Sequence, residues 1–298
     1  SRQKNSIGMK QVKLYFFLTL LPLCACSQES SKTESTPVNQ PKIEQSYAEW
    51  TVLAKGIEYR EISAPDSSIL GDSKLSVLRL EPEFLEFVML NSTQQNKKRF
   101  TAPQWADSFK LQIVMNAGMY DLANGLIHRG YMKNENHFNN RELNPAYNSM
   151  IVFQPKDTTH ANFDIVDLKC TDWTSIHRKY NCYAQGMRMI DCHGEPLSWN
   201  KKKQSCSMLV AAKDEQNRIY FIFSRSPYTH NQMIAFMGEF PEKIHSAIYL
   251  EGGPETSLYI DLGDHCIEKI GSYVSQTYAH DRNADFWELP NVIGIRVK

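Results

Sequence analysis

The chain has 298 residues, 42% of them hydrophobic and 22% charged, with 33 basic side chains set against 33 acidic ones. These figures exclude disordered, collagen-like and disulfide-dense chains, and the length suffices for one large domain or two modest ones with a well-buried core. Zero formal charge, with no basic stripe carrying interleaved aromatics, argues against a nucleic-acid binder, whose affinity rests on many Lys and Arg contacts to phosphate.

From Met9 the sequence reads MKQVKLYFFLTLLPLCAC, in which Lys10 and Lys13 precede an uncharged run from Leu14 to Leu23. About ten such residues are roughly half of what a membrane-spanning helix needs, so the run reads as a signal-peptide core. It ends in Leu23-Cys24-Ala25-Cys26, which resembles the bacterial lipobox; a plain secretory signal with a chance cysteine is the alternative. Residues 1–25 are therefore expected to be leader, with Ser1 to Gly8 upstream of the natural start, and Cys26 the lipidated residue. Ser27 to Ser46 has two aliphatic residues, Val38 and Ile43, and cannot offset its ordering entropy, so 26–46 is expected to be a solvated tether. The folded domain should occupy 47–298. Loss of residues 1–25 removes Arg2, Lys4, Lys10 and Lys13 and no acid, which turns 33 basic against 33 acidic side chains into an excess of four acids.

Within that domain, Gly56 to Ile62, Leu75 to Leu80 and Phe84 to Leu90 are apolar-rich runs separated by Pro, Asp and Ser, which is strand chemistry. Thr101-Ala-Pro-Gln104 has capping-box spacing with an early proline and predicts a helix over 103–109. Gln112 to Ala117 reads as a buried strand leading into a polar loop. Strands are further expected at 147–153, 187–190, 208–212 and 219–224. A second capping box, Thr229-His-Asn-Gln232, opens a helix through Gly238, and strands at 247–250, 257–261 and 291–297 complete the set. Helices separated by several consecutive strands predict an α+β fold, a mixed, mostly antiparallel sheet with a few packed helices in a single domain.

Beyond Cys24 and Cys26 lie Cys170, Cys182, Cys192, Cys206 and Cys266, an odd number. A disulfide such as Cys170 with Cys182 fits an oxidising compartment, but the sequence does not assign the pairing. No folded-region pair has C-x-x-C spacing, and His193 and His265 sit directly beside cysteines, so neither metal nor cofactor is expected.

Three places carry chemistry, each where a strand gives way to a loop. The first is Asn116-Ala117-Gly118-Met119-Tyr120-Asp121, followed by an irregular, asparagine-rich segment to about Asn148 that contains His128, Arg129, Lys133, His137 and Arg141. In the second, Ser224-Arg225-Ser226 precedes a capped helix, where an arginine fork and free N–H groups suit an anion. The third is Glu251-Gly252-Gly253-Pro254-Glu255, where a glycine turn can hold two carboxylates against a ligand, the pair that glycoside cleavage uses.

The order of NAGMYD, the strand pair around SCSMLVAAKDEQNRIYFIFSRSPYT, a helix and AIYLEGGPETSLYI resembles the phosphodiester glycosidase family of the uncovering enzyme, over roughly Gly56 to the C-terminus. The family's Asn-Gly/Ala-Gly-Phe/Tyr motif falls on Asn116, Ala117, Gly118, Met119 and Tyr120, and its Asp-Gly-Gly-Gly-Ser motif on Glu251 to Glu255. Glu251 replaces an aspartate, Pro254 and Glu255 replace Gly and Ser, and Ser205-Cys206-Ser207-Met208-Leu209 stands where the family often has Arg-x-Ala-Ile-Gly. The resemblance implies an envelope-anchored hydrolase of a sugar-1-phosphodiester or related glycosidic bond, acting on a glycan or sugar phosphate. Glu251 would be the main carboxylate and Glu255 or Asp121 its partner. Asn116, Gly118, Tyr120, Gly252 and Gly253 would bind or orient substrate, and Arg225 or Arg188 would pair with its anionic group. Membrane contact would run through the lipid on Cys26, and the protein is expected to act as a monomer. The alternatives are a non-catalytic glycan-binding lipoprotein on the same scaffold and, behind it, a metal-dependent phosphodiesterase.

Overall fold

The structure is a computed structural model and describes residues 48–121, 123–200 and 203–298. The expected leader, the lipidated Cys26 and the tether lie outside the described residues. In chain order the elements are β1 (Thr51–Ala54), β2 (Ile57–Ser63), β3 (Lys74–Leu80), β4 (Leu85–Asn91), α1 (Ala102–Phe109), β5 (Ile113–Asn116), β6 (Met132–Asn134) and β7 (His137–Asn140). There follow β8 (Ser149–Pro155), β9 (Phe163–Asp167), α2 (Trp173–Ile176), β10 (Tyr180–Ile190), β11 (Ser205–Asp214), β12 (Ile219–Thr229) and α3 (His230–Gly238). The chain closes with β13 (Ile244–Gly252), β14 (Ser257–Asp261), β15 (Cys266–Ile270) and β16 (Asn291–Val297).

Among the described residues strands make up 46% and helices 11%, which is roughly consistent with the expected α+β class but dominated by strands: a single, sheet-rich, mostly antiparallel domain with few helices. An 11-stranded sheet runs β1-β2-β3-β12-β11-β13-β10-β6-β7, with β8 paired to β10 and β9 to β8, and a 5-stranded sheet runs β15-β14-β5-β16-β4. Both capping boxes form as the sequence predicts. Thr101 with Gln104 starts α1, and Thr229 with Gln232 starts α3.

Four layers result. Leu209, Ala211, Phe221, Phe223, Ile248 and Leu250 of the large sheet pack against Phe87, Ile113, Met115, Leu258 and Ile293 of the small one. The opposite face of the large sheet, with Met208, Val210, Ile222 and Tyr249, is covered by Met233, Phe236 and Met237 of α3. On the outer side of the small sheet, Val114 and Val292 pack under Trp105 of α1. Strands β11, β12 and β13 are thus buried on both faces, which is why they read as near-continuous apolar runs rather than as alternating ones.

The segment after Asn116 is more ordered than an irregular loop. It contains the β6–β7 hairpin, and its asparagines hold it by side-chain amides. Asn139 Nδ2 donates to Leu126 O and Asn291 Oδ1, and its Oδ1 accepts from the His128 N–H. Gln185 takes the Tyr131 and Asn144 N–H groups on Oε1 and donates to Tyr147 O. The disulfide joins Cys170 to Cys192, not to Cys182, which is buried and free inside β10. Cys182 points into the intersheet core, beyond reach of a loop cysteine, whereas Cys192 opens the turn after β10.

Candidate active site

Two chain crossings between the sheets meet at one point. The chain leaves the large sheet at the end of β13 and passes through a tight 3-10 turn, Gly253–Glu255, into β14 of the small sheet. It leaves the small sheet at Asn116, the last residue of β5. Asn116 is buried and brackets the first crossing: its Nδ2 donates to Glu255 O (2.9 Å) and its Oδ1 accepts from the Ser257 N–H (2.7 Å).

Glu251 is placed by an irregularity in β13. Leu209 pairs with Glu251 and Val210 with Tyr249, so Leu250 is an extra residue in the ladder. Bulges of this kind re-aim the side chains that flank them. Glu251 is only 8% exposed and its Oε1 accepts the Gly252 N–H at 3.0 Å. Burial, and then the neighbouring charge of Glu255, push its carboxyl up to about 8, while the Gly252 N–H and Arg129 pull the other way. Burial also raises Glu255. Gly252 has no room for a side chain. A Cβ there would meet the Tyr249 hydroxyl and lie 2.8 Å from Cys206 Sγ.

Tyr120 faces the same pair. Its burial, then the charges of Glu255 and Glu251, raise its phenol, so it stays protonated and keeps a proton to donate. Gly118 sits at φ +127°, and a Cβ there would fall 2.6 Å from Nε2 of buried His128. Burial holds His128 down to about 4, which leaves it neutral at ordinary pH.

A cleft of about 720 Å³ is lined by Arg129, Tyr147, Arg188, Trp199, His230 and Tyr249 among others; neither Glu251 nor Glu255 is among its lining residues. The link between the carboxyl and the cleft wall is Tyr249, two residues before Glu251 on β13, and the charge of Glu251 acts on both Tyr147 and Tyr249. Arg129 is exposed, makes no ion pair among the described residues, and is the positive charge that acts on Glu251.

The remaining expected residues lie as follows. Asp121 caps its own loop, its Oδ1 accepting the Ala123 N–H, and it is not among the charges that act on Glu251 or Glu255. Arg225 is turned to other work: it pairs with Asp281 at 2.7 Å and donates to Ile270 O and Asn283 O. Asn283 in turn donates to Gly271 O, so Arg225 ties down the loop beside the glutamate turn instead of presenting a free fork. Arg188 does line the cleft, with Nη1 paired to Asp167 at 2.6 Å. Sequence reasoning left Arg129, Tyr147, Trp199 and Tyr249 out of the site. The signal for Arg129 was its place in the polar segment after Asn116; the other three read as ordinary core or loop aromatics.

No family model and no curated protein matches the sequence. Among solved structures, the fold is similar to those of two proteins. The zebrafish N-acetylglucosamine-1-phosphodiester alpha-N-acetylglucosaminidase catalytic domain, auto-inhibited by its pro-peptide, is similar with a TM-score of 0.59 and 12% identity, over 85% of this chain and 87% of that one. A hypothetical protein from Synechocystis is similar with a TM-score of 0.55 and 11% identity, over 82% of this chain and 62% of that one. At these identities the likeness shows the fold alone.

Proposed function

We propose that the protein is a glycoside hydrolase that cleaves a sugar-1-phosphodiester or a related glycosidic bond, and that it acts from the bacterial envelope through a lipid on Cys26. The observation that carries this reading is the buried Glu251, its carboxyl pushed up to about 8 by burial and by a second carboxylate, Glu255, on the strand whose Tyr249 lines the cleft. Burial raises both carboxyls, and a raised carboxyl keeps near neutral pH the proton that a general acid delivers. Glu251 would protonate the leaving oxygen, and Glu255 would activate water or attack the sugar carbon. Tyr120 and Arg129 would orient the oxygens of the substrate, and Asn116 would hold the turn that carries Glu255. The fold of the phosphodiester glucosaminidase supports the same reaction class.

The test is turnover of an N-acetylglucosamine phosphodiester by purified protein and by Glu251→Gln. The variant should fold and lose at least roughly a hundredfold in kcat, the usual contribution of a positioned acid. Unchanged turnover removes Glu251 from the mechanism, and saccharide retention with no product in the wild type favours a binding protein instead.

A further inference from the structure

Trp199 lines the cleft from the segment between β10 and β11, and the surroundings fix it in place. Its backbone N–H donates to Asn231 Oδ1 (2.8 Å), and its carbonyl accepts from Asn231 Nδ2 (3.0 Å). The indole N–H donates to Arg188 O at 3.0 Å. One face of the ring lies on buried His230, with centroids 4.1 Å apart and planes 17° apart. Tyr249 meets it edge-on at 5.8 Å. With its edge and one face engaged, the partly exposed ring lines the cleft.

We propose that Trp199 is a stacking platform for a second sugar ring, so that the substrate carries at least two rings and is not a lone sugar with a small leaving group. The proposal rests on the hydrolase reading for its placement relative to Glu251. A flat aromatic face held rigidly suits the apolar C–H face of a pyranose, because little side-chain freedom is lost on binding and the contact removes apolar surface from water. Asn148, Asn200 and Gln204 line the same cleft and supply the amide donors and acceptors that ring hydroxyls need. The geometry reaches back to the carboxylates in one step, since Tyr249 both touches the Trp199 ring edge and feels the charge of Glu251. A cleft of about 720 Å³ lies in the upper part of the range of about 300 to 1,000 Å³ that small-molecule sites occupy, which fits more than one ring.

The experiment is calorimetric binding of N-acetylglucosamine, its β-1,4-linked dimer, cellobiose and adenosine to the intact wild type, Trp199→Phe and Trp199→Leu, with melting curves as a folding control. The wild type should bind a disaccharide roughly tenfold more tightly than the single sugar. Trp199→Phe, which keeps a ring, should retain most of that gain. Trp199→Leu, which keeps bulk without a flat face, should lose it while leaving the single-sugar affinity alone. Equal disaccharide binding by the leucine variant and the wild type overturns the platform, as does a wild type that binds none of the saccharides or prefers adenosine. Ring-dependent disaccharide binding in a protein that turns over no phosphodiester removes the hydrolase reading and leaves the platform standing.

Discussion

A carboxyl held protonated by burial destabilises the fold once the pH rises, and Glu251 allows this to be measured. Its folded value of about 8 lies above the 4.5 of an unburied glutamate. Between those two values the folded chain retains a proton that the unfolded chain has released, so stability falls as pH rises through that window. At about 1.4 kcal/mol per pH unit, the roughly 2.5 pH units from 4.5 to neutrality amount to about 3 kcal/mol. Glu251→Gln stays neutral at every pH and its amide oxygen can still accept the Gly252 N–H. The variant should therefore match the wild type near pH 4 and exceed it at pH 7 by about 3 kcal/mol, or roughly 6 to 12 °C in Tm for a domain of this size. The assay is thermal unfolding by circular dichroism in buffers from pH 4 to 9, run beside the turnover assay. A difference that is flat across this range, or a variant that is less stable at pH 8, refutes the assignment of a buried, protonated carboxyl to Glu251. Gain of stability with loss of turnover is the signature expected where a catalytic group is kept at a cost to the fold.

Arg129→Gln removes the positive charge that favours ionised Glu251, so the alkaline limb of the pH–rate profile should move upward; an unmoved limb separates Arg129 from the carboxyl pair. Asn116→Ala deletes two buried hydrogen bonds that bracket Glu255 and should cost about 1 to 3 kcal/mol in urea unfolding together with a fall in kcat. Gly252→Ala forces a methyl onto the Tyr249 hydroxyl and Cys206 Sγ, and should lower stability by about 1 to 3 kcal/mol, read as a shift of the urea midpoint. Reduction of Cys170–Cys192 opens a loop with a sequence separation of 22 and should lower stability by roughly 2 to 4 kcal/mol, measured by melting with and without reductant.

Much of this was local and so legible in the sequence. Both capping boxes work because four consecutive residues carry all their partners, and the apolar runs of β11, β12 and β13 are strands because both their faces are buried. Asn116 stood out because a buried strand gives way there to a polar loop, and Glu251 and Glu255 because a glycine turn separates them. The sequence did not carry which partners long-range packing would give them. Arg225 had the chemistry of an anion site, yet Asp281 and two carbonyls of a loop more than 40 residues away take its guanidinium. The sequence left the partner of Cys170 unassigned; the structure gives it Cys192 and buries Cys182 in the intersheet core. The β6–β7 hairpin was invisible because asparagine side chains, not apolar alternation, hold it.

What the sequence by itself determined, then, is the strand chemistry, the helix starts and the presence of two carboxylates on a glycine turn. The tertiary structure alone decided that the charges of Glu255 and Arg129 act on Glu251, and that Trp199 and Arg129 line one cleft. The reason is physical: propensity and capping act within a few residues, whereas burial and Coulomb interaction depend on distance in space, and here that distance is set where two sheets cross.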